Sequence, residues 1–167
     1  MAVVDRYSLY ITNRRASPRV INPPHLKGEL KEAIALIAAA ADDSATSVYR
    51  LAQVPSNARI SEILLTAADF TTAGAINVGL HRTEMDGGAV VDADLFASAI
   101  DLSGGPYSNL DITREAGTTN WALANAENAL WQALGLTRDP GIDYDVTATI
   151  STNFNGGSAL LFKTRWV

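Results

Sequence analysis

The chain has 167 residues, 47% of them apolar and 19% charged, with a net charge of −5 and no cysteine. That length fits one domain with one core, and that apolar content argues against disorder throughout. The absence of cysteine excludes disulfides, thiolate metal sites and a cysteine nucleophile, and the acidic balance argues against a general nucleic-acid binder.

The charge is unevenly placed. Residues 1–27 carry Arg6, Arg14, Arg15, Arg19 and Lys27 against Asp5 alone, a balance of +4, so the remainder stands at −9. Pro18, Pro23 and Pro24 interrupt any helix there and push the residues before them toward extended geometry. The segment reads as an extended basic arm, residues 1–27, attached to an acidic domain, residues 28–167. Tyr7, Leu9 and Ile11 alternate with Ser8, Tyr10 and Thr12, as a short strand would. With Asp5 and Arg6 and no apolar h-region, this start does not read as a secretory signal, and no apolar run approaches the roughly 20 residues of a spanning helix.

Residues 29–41 fit two templates. Leu30, Ile34, Ile37, Ala38 and Ala41 fall at helical spacing, whereas Leu30, Ile34 and Leu36 share one face of a strand. The surrounding pattern favours a strand, and Asp42-Asp43-Ser44 would turn it into a hairpin with Thr46–Val54. Val48, Arg50, Ala52 and Val54 alternate with Tyr49, Leu51 and Gln53, as in a half-buried strand. After the turn Pro55-Ser56-Asn57, Arg59–Thr66 is apolar on both faces, Ile60 and Leu64 against Ile63 and Leu65, as inside a sandwich. Ile76, Val78 and Leu80 alternate strictly and end at Asp86-Gly87-Gly88.

Asp92 is placed to cap a short helix carrying Leu95, Phe96, Ala99 and Ile100. A second short helix is expected over Ala126–Leu134, capped by Asn125, with Leu130, Trp131 and Leu134 inward and Gly135 as the C′ stop. Tyr144, Val146, Ala148 and Ile150 mark another strand. Asn155-Gly156-Gly157 turns the chain into a last one, Ala159–Val167. Together these predict an all-β jelly roll or β-sandwich of about eight antiparallel strands, with one or two short helices in the connections.

Catalytic and metal chemistry finds little support. The two histidines, His25 and His81, have no second ligand at metal spacing, and there is neither a Gly-x-Ser-x-Gly elbow nor a phosphate-binding glycine loop before a helix. Asp92 and Asp94, and Asp139, Asp143 and Asp145, are acidic clusters, but their spacing is not that of an EF-hand and suits caps and turns. No catalytic, cofactor-binding or metal-binding set is assigned. Trp121, Trp131 and Trp166 would serve either a core, an interface or a carbohydrate platform. Trp131, on the inward stripe of the second helix, belongs to the core reading.

Three stretches carry a resemblance: VYRLAQVPSNARI at 48–60, GGAVVDADLFASAIDLS at 87–103 and LWQALGLTRDPGIDYDV at 130–146. They resemble the capsid cement, or head decoration, proteins of tailed bacteriophages, over roughly residues 45–167. The resemblance implies a jelly roll on the outer surface of the phage head, made in the bacterial cytoplasm. It implies the major capsid protein as partner, with self-association as a dimer or trimer, and neither direct nucleic-acid contact nor a membrane. The resemblance does not extend to the arm, but its basic charge would let it lie on an acidic shell, which makes Arg6, Tyr7, Tyr10, Arg14, Arg15 and Arg19 candidates for capsid contact. Trp121, Arg165 and Trp166 are candidates for an oligomer interface, since the terminal strand would offer a sheet edge to its mate. The alternatives are a tail or baseplate β-protein, or a carbohydrate-binding jelly roll using Trp121 or Trp166.

Overall fold

The computed structural model describes residues 29–41, 43–70, 74–115, 121, 123–154 and 156–167. The expected arm and its contact residues Arg6, Tyr7, Tyr10, Arg14, Arg15 and Arg19, together with His25, lie outside the described residues.

Among the described residues, eight strands form two four-stranded sheets. They are β1 (Lys31–Ala39), β2 (Val48–Pro55), β3 (Ile60–Ala67), β4 (Ala75–Arg82), β5 (Val90–Asp101), β6 (Tyr107–Asp111), β7 (Asp143–Thr152) and β8 (Ser158–Trp166). The sheet orders are β1-β8-β3-β6 and β2-β7-β4-β5, all antiparallel. Every connection except β4–β5 therefore crosses from one sheet to the other, which is jelly-roll topology.

The two-residue period of the sequence explains the core. On β7, Tyr144, Val146, Ala148 and Ile150 point inward, and on β8 Leu160 and Phe162 do so. They meet Ile63, Leu65, Ile76, Val78, Leu80, Leu95 and Phe96 between the sheets. Trp121, in the long β6–β7 connection, closes one flank by packing edge-on against Phe96 at 5.3 Å.

Residues 29–41 do contain a strand, but no hairpin follows it. β1 pairs with β8 and β2 pairs with β7, so residues 40–47 cross between sheets. Its exposure also reverses the simplest expectation. Ala35, Ile37 and Ala39 face the core, whereas Ile34 and Leu36 stand 62% and 70% exposed.

The helix expected after Asp92 is a strand. β5 carries register shifts at three places against β4, so extra residues interrupt its alternation. The bulges bring Leu95, Phe96, Ala97 and Ile100 all to buried positions, and the resulting spacing imitates a helix. Side chains satisfy donors that the irregular ladder frees: Ser98 N–H donates to Glu115 Oε2 at 2.6 Å, and Ala99 N–H to Asn77 Oδ1 at 2.7 Å. Ala99 takes a left-handed φ of 53° within this stretch. Gly79 is required beneath it, because a Cβ there would lie 2.1 Å from the Asp92 carbonyl oxygen.

The second helix is a single turn, α1 (Leu130–Ala133), preceded by a 3₁₀ turn at Leu123–Asn125. Asn125 therefore does not cap it; instead Gln132 Oε1 accepts from Ala129 N–H at 2.9 Å. Gly135 is left-handed, as expected of a stop. Leu130 is buried, while Trp131 is only half-buried. On β3, an irregularity between Ile60 and Glu62 turns both Ile60 and Ile63 into the core and leaves Leu64 on the outer face. β6 has no counterpart among the expected elements.

Candidate functional site

Four regions collect polar or exposed groups. The first is the end of the sandwich formed by the β1–β2, β3–β4, β5–β6 and β7–β8 connections. Phe154 is wedged there, with its ring 5.1 Å from Phe70 and 6.5 Å from Tyr49. Asp43 accepts from Ala40 N–H and from the Tyr49 hydroxyl. The Tyr49 hydrogen bond, ahead of that from Ala40, holds the Asp43 carboxyl below its usual range, and burial with Asp43 beside it pushes the Tyr49 hydroxyl up. These groups fasten loops to one another.

The second region is a polar cluster on the outer face of the β2-β7-β4-β5 sheet. Arg50 Nη1 donates to Asp145 Oδ2 at 2.5 Å and to the Arg82 carbonyl at 3.0 Å, and its Nε lies 3.4 Å from Glu84. His81, 6% exposed, shares a 2.8 Å hydrogen bond between Nδ1 and Thr147 Oγ1. Burial lowers the His81 pKa, and the nearby Arg50 cation lowers it further against the opposing pull of Asp145. His81 is thus a neutral, packed imidazole and not an exposed group on a polar strand face. The cluster instead ties the β4–β5 loop down, with Thr83 capping its 3₁₀ turn at Glu84–Asp86.

The third region is an open cleft of about 370 Å³ between β4, β5 and α1, lined by Arg82, Val91, Leu134, Leu136 and Tyr144. It adjoins a second of about 470 Å³ that shares Arg82 and Leu136. The Arg82 guanidinium stands 5.5 Å from the centre of the Tyr144 ring. The expected acidic cluster beside it is dispersed. Asp139 accepts from Ser56 Oγ at 2.5 Å and from Gly141 N–H at 2.9 Å, which lowers its pKa. Asp143 accepts from Gln53 at 3.3 Å. Among the described residues, no three carboxylate or imidazole groups converge as a metal site would require.

The fourth region is the outer face of the β1-β8-β3-β6 sheet. Arg165 bridges Glu32 at 2.5 Å and Glu62 at 2.6 Å, joining three strands, and these two carboxylates raise its pKa. Beyond this ionic row the face turns apolar. Register sets Leu36 beside Leu161, Ile34 beside Lys163, and Lys163 beside Leu64.

The residues expected at an oligomer interface separate accordingly. Trp121 is fully buried, with its indole N–H meeting no acceptor among the described residues, so it offers neither an interface nor a stacking platform. Trp166 is half-buried, also without a partner for its indole N–H among the described residues, and Arg165 is engaged within its own sheet. The terminal strand β8 is not an edge: β1 and β3 flank it on both sides. The exposed face of β1 was legible in the period-two spacing of Ile34 and Leu36, but a sequence does not say which face of a strand looks outward.

No family model matches the chain, and no curated protein matches it. Two solved structures are similar in fold. A chain from the capsid of Ralstonia phage GP4 superposes with a TM-score of 0.53 at 14% identity, over 90% of this chain and 91% of that one. A chain from the capsid asymmetric unit of cyanophage Pam1 has a TM-score of 0.49 at 16% identity, over 83% and 85% of the two chains.

Proposed function

We propose that this protein is a non-enzymatic structural component of a phage virion, which binds the outside of the assembled head and reinforces capsomer junctions. The observation that carries this reading is the end-to-end likeness of its jelly roll to a chain within the capsid of Ralstonia phage GP4. Two further features support it. The polar clusters of the described residues are internal ties, and the clefts between α1 and β4 are open and hold no set of groups aimed at a reacting atom. The three sequence stretches that resemble cement proteins fall on β2, on β5 and on α1 with the start of β7.

The mechanism is mechanical. Each copy adds interface area across a junction, and a standard interface buries about 800 Å² per partner. Many copies on one shell act together, so each contact can be modest. In this reading the major capsid protein is the partner, and the basic arm, with Arg6, Arg14, Arg15 and Arg19, lies on an acidic shell while the acidic domain faces solvent. Adding purified protein to heads that lack it tests the proposal. Full-length protein should bind expanded shells and raise their resistance to heat, and protein lacking residues 1–24 should bind at least tenfold more weakly. Full occupancy by the truncated protein would remove the arm as tether. No binding by either form would remove the cement role.

A further inference from the structure

The four edge strands of the sandwich are not alike. β6 is five residues long and carries Asn109 in a left-handed conformation. β5 is broken by three register shifts, and β2 has a shift after Arg50 and ends on Pro55. Each of these devices discourages another strand from adding to the edge. β1 has none of them. It is nine residues long, contains no proline, and pairs with β8 in unbroken register from Lys31 to Ala39. Among the described residues nothing pairs with its other side. Its outward face presents Ile34 and Leu36 to solvent, continued by Leu161 on β8.

From this edge, unpaired among the described residues, we infer that β1 pairs antiparallel with β1 of a second copy, joining two four-stranded sheets into one of eight. The strand is self-complementary for this purpose. A two-fold axis through Ala35 sets Ile34 beside Leu36 of the other copy, and the reverse, so four apolar side chains meet on the outer face. Charge does not oppose this register: Lys31 and Glu32 then fall opposite Ala39 and Ala38, and no like charges face each other. The edge alone buries less than the roughly 800 Å² per partner of a standard interface. The dimer is accordingly weak in free solution and strengthens where copies are held side by side. The inference stands apart from the virion role, since it rests on the edge itself.

Sedimentation of the full chain, with a lysine pair on the edge as comparison, tests it. The wild type should sediment at twice the chain mass at tens of micromolar or above. Ile34→Lys with Leu36→Lys should sediment as a monomer and melt as the wild type does at dilutions where the wild type is itself monomeric, because both positions are exposed. The cysteine-free sequence permits a second readout. Ile34→Cys with Leu36→Cys should yield a covalent dimer on mild oxidation, whereas Ser108→Cys on the β6 edge should not. A wild type that stays monomeric, or a dimer indifferent to the lysines, overturns the inference. So does a full chain that dimerises only after residues 1–28 are removed, which would assign the edge to the chain's own N-terminal segment.

Discussion

Among the described glycines, Gly79 leaves the least room for a side chain. A methyl group there would sit 2.1 Å from the Asp92 carbonyl oxygen and 2.4 Å from the Ala93 carbonyl carbon, neither of which can rotate away. Gly79→Ala is expected to cost about 3 kcal/mol through overpacking, read as a lower denaturant midpoint at constant slope. Ala99 presents the opposite case, a side chain held at φ 53° where glycine would be relaxed. Ala99→Gly should therefore stabilise by about 0.5 kcal/mol, the left-handed strain relieved slightly exceeding the added chain entropy. His81 governs a pH response. Its folded pKa lies below the ordinary 6.5, so the unfolded chain binds the proton more readily. Its contribution is complete above about pH 6.5 and is lost as pH falls through the folded value. Unfolding free energies at pH 7.5 and 5 should thus differ less in His81→Gln than in the wild type. Asp43 and Asp139, with pKa values below 3.8, lose their contributions only in a more acidic range.

At the scale of elements, legibility followed the regularity of the strands. β2, β4, β7 and β8 could be read because their alternation survives, or nearly survives, in the folded chain. β5 could not, because its bulges destroy the period of two and bring Leu95, Phe96 and Ala97 together into the interior. A sequence registers the spacing of such residues but not the extra backbone that makes it extended. β6 escaped for a different reason: its five residues are mostly polar and outward, so burial leaves no mark on them. The site was less legible than the fold. Trp121 had three readings from sequence, and its full burial against Phe96 decides for the core. Trp121→Ala should then cost about 3–5 kcal/mol and lower the melting temperature, as a filled core position requires. A stable Trp121→Ala protein with altered glycan binding would contradict that placement.

Taken whole, the molecule is a stiff double sheet whose polar groups are largely spent on holding its own loops. His81, Arg50 and Asp145 pin the β4–β5 loop, Asp43 and Tyr49 pin one end, and Arg165 staples three strands. Its exposed apolar surface, among the described residues, includes Ile34 and Leu36 along β1. Among the described residues no helix is long and apolar enough to cross a membrane. Quantitative mass spectrometry of separated heads and tails from the virion that carries this protein tests the proposed place on the phage head most directly. The protein should fractionate with heads, in numbers comparable to the major capsid protein. Recovery with tails, or absence from both fractions, would contradict it.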